Sequence, residues 1–183
     1  MINRLGILLI LALIIQSGVP HSVVYNTSKG VINFRSDAPL EMIKASSNEL
    51  HGKLDAEKRI FAFTVRISSF EGFNSPLQKE HFNENYLESN RYPDAHFSGK
   101  IIEDIDLSKD ATYIVRAKGI LFLHGISQER IIKSEFTVKN GTISIKSNFT
   151  VLLNEHNIPI PKVVNEKLAS EIKVEVKADL IPQ

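Results

Sequence analysis

Apolar and polar side chains alternate along most of this chain with the period of two that a half-buried β-strand imposes. In Ile60–Ser68, the residues Phe61, Phe63, Val65 and Ile67 fall on one side, and Ala62, Thr64, Arg66 and Ser68 on the other. In Thr142–Leu153, Ile143, Ile145, Phe149, Val151 and Leu153 share a face opposite Thr142, Ser144, Lys146, Asn148 and Thr150. Near the C-terminus Ile172, Val174, Val176, Ala178 and Leu180 oppose Glu171, Lys173, Glu175, Lys177 and Asp179, the cleanest strand in the chain. Extended segments are also expected at Val31–Ser36, Glu41–Ser47, Glu49–Leu54, Phe97–Glu103, Thr112–Leu123 and Glu129–Lys139. Tyr113–Leu123 is apolar on both faces, so alternation does not orient it.

Turn chemistry separates these runs at Asp55-Ala56-Glu57, Ser108-Lys109-Asp110, His124-Gly125 and Asn140-Gly141. Asn-Gly is the strongest of these, because a type I′ turn needs two residues that tolerate positive φ. One stretch departs from the period of two. Ser75 precedes Pro76 and stands three residues before Gln78, a capping-box start with proline at the first helical position. Leu77, Phe82, Tyr86 and Leu87 then recur at helical spacing, which predicts a helix over Pro76–Ser89 with a break near Asn83–Asn85. About eight strands, one short helix and mostly hairpin connections imply an all-β fold, a closed antiparallel barrel or a sandwich.

The first residues have a different character. Arg4 is followed by Leu5–Ile15, eleven residues without a polar side chain, and then by Gln16, Ser17, Gly18 and Pro20. This is the pattern of a cleavable secretory signal; the run is shorter than the about 20 residues a spanning helix needs. Residues 1–22 are therefore expected to be the signal, with the cut between Ser17 and Val24, and residues 23–183 the mature domain. That places the protein in the periplasm or outside the cell, without a stable membrane anchor. There is no cysteine, so neither a lipoprotein anchor nor a disulfide supports the domain. Removal of Arg4 leaves 21 cations against 21 anions, interspersed, which argues against nucleic acid or an anionic membrane surface as partner.

Candidate chemistry is sparse. The six histidines lie at least 15 residues apart with no metal-binding spacing, and read as exposed or turn residues. No nucleophile elbow, phosphate loop or dinucleotide fingerprint occurs, so no enzyme, cofactor or metal is expected. What remains is apolar: ten Phe, four Tyr and no Trp, with Phe70, Phe73, Phe82 and Phe97 grouped around the predicted helix. These rings either fill an ordinary core or line a pocket, since an eight-stranded barrel is just wide enough to be filled or to hold one small ligand. A helix beside the mouth would then act as a cap. On that reading Phe63, Val65, Phe82, Phe97, Phe149 and Val151 are the candidate lining residues.

Three segments carry a family resemblance. Phe82 to Gly99, passing through Tyr92-Pro93 and Phe97-Ser98, resembles the YceI-like segment in which a short helix leads into a strand. Leu121-Phe122-Leu123-His124-Gly125-Ile126-Ser127 is similar to that family's hairpin, and Asn157-Ile158-Pro159-Ile160-Pro161, Val163-Val164 and the closing strand Glu171–Leu180 to its C-terminal end. The resemblance spans about residues 23–180. At Asn26–Arg35 the chain departs from the family pattern, with Ser28, Lys29 and Gly30 where acidic, histidine and serine types are expected. The resemblance implies a lipocalin-like closed antiparallel β-barrel with one short inserted helix. It also implies an isoprenoid, quinone or other long apolar molecule enclosed within it. The alternative is a solid-core barrel that works through protein contacts on its loops, and a third reading is an enzyme with a site built from scattered residues. A dimer is compatible with the sequence, which specifies no oligomeric state.

Overall fold

The computed structural model describes residues 23–183; the expected signal, residues 1–22, lies outside them. Eight strands, β1 (Val24–Asp37), β2 (Met42–Asp55), β3 (Ile60–Arg66), β4 (Asp94–Ile101), β5 (Ala111–Leu123), β6 (Ile126–Lys139), β7 (Thr142–Leu152) and β8 (Glu171–Pro182), pair in chain order. All pairings are antiparallel, and β8 closes on β1 through Ile32↔Val176 and Phe34↔Val174. The fold is an all-β closed barrel, one of the two architectures that alternation left open and the one that the resemblance implies.

The faces assigned from sequence hold. Phe61, Val65, Ile143, Ile145, Val151, Ala178 and Leu180 are buried, whereas Lys173 and Lys177 on the opposite faces are exposed. The strand that alternation could not orient is β5, and the structure orients it. Val115, Ala117 and Leu121 point inward, while Ile114 and Ile120 stand on the outer surface, 54% and 42% exposed.

Glu41–Ser47 and Glu49–Leu54, expected as separate runs, form one strand, β2. The apparent gap is a change of parity. Ala45 and Ser47 face inward, then Asn48 and Glu49 both face out, then Leu50, Gly52 and Leu54 face inward. The neighbouring β1 does the same at Ser28-Lys29, so it begins at Val24 rather than Val31, and the β1–β2 register shifts between Thr27 and Ile32. Each irregularity is tied by a preceding hydroxyl: the Lys29 amide donates to Thr27 Oγ1 (3.4 Å) and the Glu49 amide to Ser47 Oγ (3.1 Å). Such bulges bend a strand and add local twist, which a small closed barrel requires.

At one end the strands meet through tight turns and a short loop. Asn140 and Gly141 have φ of 50° and 75°, the two positive values of a type I′ turn. Leu54, Ile101, Val115, Ile143 and Leu180 pack there, all between 0% and 1% exposed. The opposite end carries the long β3–β4 and β7–β8 connections. The first holds the helix, shorter than expected: α1 spans Pro76–His81 and passes into a π-helical turn, Phe82–Tyr86. Its start is as read from sequence, with Ser75 Oγ accepting from the Gln78 amide (3.2 Å). The Gln78 side chain reaches back to the Asn74 amide (3.0 Å).

Candidate functional site

The barrel interior is not packed solid. It holds two adjoining cavities, an upper one of about 170 Å³ beneath the helical connection and a lower one of about 100 Å³ toward the closed end. Ile32, Val65, Ala95, Leu121 and Phe149 line both and form the waist between them. Among the described residues no Asp, Glu, Lys or Arg lines either chamber.

All six sequence candidates reach this interior. Phe82 and Val151 line the upper chamber, Phe63 and Phe97 the lower, and Val65 and Phe149 both. Alternation places Phe63, Val65, Phe149 and Val151 inward, and Phe97 follows from β4. The lower chamber depends on a missing side chain. Gly52 faces inward on β2 opposite Phe63, and a Cβ there would lie 2.2 Å from the Phe63 ring.

The upper chamber is roofed by four phenylalanines from three elements: Phe34 on β1, Phe70 and Phe73 before α1, and Phe82 in the π-helical turn. Phe82 stacks on Phe34 (5.3 Å between centroids, 13° between planes) and meets Phe73 at 5.0 Å and Phe70 at 5.8 Å. The π-helical turn is the break anticipated near Asn83–Asn85. An extra residue in the turn rotates the side chains that follow, and such turns recur at functional sites.

This helical connection acts as a lid; apart from these rings and from Leu87, buried in a cluster with Ile67, Leu153 and Ile158, it is fastened by polar contacts. No residue of α1 or of the π-helical turn is itself buried. Gln78 Nε2 donates to Glu41 Oε1 (2.9 Å), Asn74 Nδ2 donates to the Met42 carbonyl (3.0 Å), and Lys79 pairs with Glu71. A hydroxyl pair, Ser47 and Ser69 (2.6 Å), and a two-way backbone pair between Ser46 and Glu71 join β2 to the start of the connection. The second long connection is held similarly, the Ala169 amide donating to the buried Ser36 Oγ (2.9 Å).

Two histidines fasten the same end, and here the expectation of exposed or turn histidines needs correction. His124 lies in the β5–β6 turn, but its side chain is only 10% exposed; its Nδ1 contacts the His156 carbonyl (2.9 Å) and its Nε2 contacts Glu88 Oε2 (3.1 Å). His156 is fully buried, with Nδ1 on the Leu123 carbonyl (3.2 Å) and Nε2 without a partner. Burial holds its pKa below the ordinary imidazole value, partly offset by bonds to backbone carbonyls. On the rim, the hydrogen bond from Lys173 lowers the Asp37 carboxyl. Sequence reasoning missed the ring of Phe34 and these histidine ties, because each depends on which distant strands adjoin.

Among the described residues the lining of this cavity is uncharged and almost wholly apolar. Among the described residues no group of three metal-ligating side chains converges. Comparison with curated protein sequences gives no match. Among solved structures, the chain is similar to a polyisoprenoid binding domain from Saccharophagus degradans implicated in plant cell wall breakdown. The TM-score is 0.75 at 11% identity, covering 89% of this chain and 100% of that one. It is also similar to Burkholderia cenocepacia BcnA (TM-score 0.68, 13% identity, 83% and 96% covered) and to the Campylobacter jejuni YCEI protein (0.56, 16%, 99% and 99%). The YceI-like domain model matches residues 21–180, and the chain therefore belongs to the YceI-like domain family.

Proposed function

We propose that this protein is an exported, non-enzymatic carrier that encloses one long apolar molecule of the isoprenoid class within its barrel. The observation that carries the reading is the pair of adjoining uncharged chambers under a phenylalanine roof. It is supported by family membership and by the similarity in fold to a domain described as polyisoprenoid-binding. Export to the periplasm or beyond the cell is supported by the signal-like pattern of Leu5–Ile15.

Burial of ligand surface contributes roughly 25 cal/mol per Å², offset by the cost of ordering a flexible chain. Binding is therefore expected to vary little with salt. Ligand pockets commonly occupy roughly 300–1,000 Å³; the two chambers are smaller, so a long chain enters as the Phe73 and Phe82 side of the roof lifts. The helical segment is suited to that motion, since no residue of Pro76–Tyr86 is buried and exchangeable polar contacts help to fasten it.

The test is organic extraction of protein purified from its native compartment, followed by mass spectrometry, with titration of the emptied protein by a polyprenol or isoprenoid quinone. One apolar molecule per chain is the expected result. An empty extract together with no uptake would overturn the reading.

A further inference from the structure

Among the described residues that line the lower chamber, one pair of inward-facing side chains is polar. Ser134 on β6 and Ser147 on β7 are directly paired in the ladder, both face inward, and both line the lower chamber at 5% and 8% exposure. Their hydroxyl oxygens lie 2.6 Å apart. Thr64 and His96 also border this chamber, but both lie on the outer, exposed face of their strands. We infer that Ser134 and Ser147 form a hydrogen-bonding seat for an uncharged carbonyl oxygen carried at the deep end of the enclosed molecule. The inference rests on the proposed enclosure of an apolar ligand and adds which end enters first and what chemistry that end carries.

The argument begins with proton counting. Two hydroxyls bring two O–H donors, and the bond between them uses one. Among the described residues the second donor has no other partner. The other buried serines show what a structural role requires: Ser36 accepts from the Ala169 amide, and Ser47 holds Ser69 and the Glu49 amide. Those serines tie loops and a bulge to the barrel. Ser134 and Ser147 tie together two strands that the backbone ladder already joins.

The charge of the seat's occupant follows from its surroundings. A carboxylate or phosphate placed there would be buried with no cation among the lining residues, a costly arrangement. A neutral oxygen acceptor takes the spare proton without that cost. With its oxygen at the seat, the rest of the molecule runs past Val65 and Phe149 at the waist and ends under Phe34 and Phe82. The chain thus enters with its carbonyl end leading.

The test titrates the full mature protein with farnesylacetone, an isoprenoid methyl ketone, and with the hydrocarbon of the same skeleton, each displacing a fluorescent lipid. The Ser134→Ala/Ser147→Ala double variant is compared with the unaltered chain. Replacing both partners together leaves no lone buried hydroxyl and is close to neutral for folding, which a thermal melt checks. The ketone is expected to lose about tenfold in affinity in the double variant, while the hydrocarbon is unchanged. Either single variant retains one free hydroxyl and should keep the ketone. The infrared carbonyl stretch of the bound ketone should be lowered in the unaltered protein and restored in the double variant. If the double variant does not fold, that stretch in the unaltered protein decides. Equal ketone affinity in both proteins, or an unshifted stretch, overturns the seat and leaves the enclosure standing. Failure of both probes to bind overturns the enclosure and the seat with it.

Discussion

The two ends of the barrel are sealed in different ways. At the closed end the fully buried side chains are hydrocarbon: Leu54, Ile101, Val115, Ile143 and Leu180. At the mouth a smaller apolar cluster, Ile67, Leu87, Leu153 and Ile158, is joined by completely enclosed polar groups, Ser36, Ser47 and His156, each of which touches a connecting loop or turn. Hydrocarbon packing is non-directional and is lost only by exposing surface. A hydrogen bond at a loop can be exchanged for water at a net cost of about 1 kcal/mol. One end is thus held by packing alone, the other by packing together with hydrogen bonds that water can replace.

The sharpest way to break this contrast is to truncate one side chain at each end. Leu54→Ala removes a completely enclosed side chain and is expected to cost about 2–5 kcal/mol. Phe82→Ala, in the half-buried roof, should cost less than about 2 kcal/mol while speeding the escape of a bound apolar molecule. Thermal melts and dye release measure the two effects. Comparable stability losses would mean that the roof is part of the core.

The hairpin glycines give a second, smaller comparison. Gly141 and Gly125 both hold positive φ, 75° and 76°. An alanine at either should cost about 1–2 kcal/mol in backbone strain. A Cβ at Gly141 meets nothing within 4 Å, whereas one at Gly125 lies 2.6 Å from the Tyr92 ring. Gly125→Ala should therefore be the worse of the pair and should loosen the mouth loop, as amide exchange around Tyr92 would record.

The smallest effect is on pH dependence. His156 has a folded pKa held below 6.5 by burial, while the unfolded chain restores the ordinary value. Between those two values only the unfolded state takes up the proton. Stability is therefore unaffected above about pH 6.5 and falls below it, by up to about 1.4 kcal/mol per pH unit. His156→Asn retains a donor for the Leu123 carbonyl and should flatten that part of the profile. An unchanged slope would assign the dependence to another group.

Much of the fold was legible because the barrel enforces a strict period on its strands. β3, β7 and β8 each show one apolar face in the sequence, and Asn140-Gly141 and Ser75-Pro76 announce their turn and helix start locally. Reading failed where the period breaks for a physical reason. The bulges at Ser28-Lys29 and Asn48-Glu49 invert parity, splitting one strand and shortening another. Ile114 and Ile120 give β5 a second apolar face that is solvent-facing in the structure. Six lining residues, four phenylalanines and two valines, could be named because large apolar side chains on the inner face of a strand or beside the mouth have few other places to go. Ser134 and Ser147 could not, since two serines 13 positions apart look like surface residues until β6 and β7 are laid side by side.

The unequal lengths of β2 and β3 have a consequence for handling and for the cell. β3 covers only His51–Asp55 of its neighbour, so on that side the stretch Met42–Leu50 is met, among the described residues, chiefly by Ser46–Glu71, Ser47–Ser69 and Asn74. These are contacts of the lid connection. Lifting that connection uncovers a row of free amides and carbonyls, a ready template for another chain's strand. On the proposed reading a loaded barrel with its connection in place hides this edge, and a population held open would gather into assemblies, so that solubility on storage would report ligand occupancy.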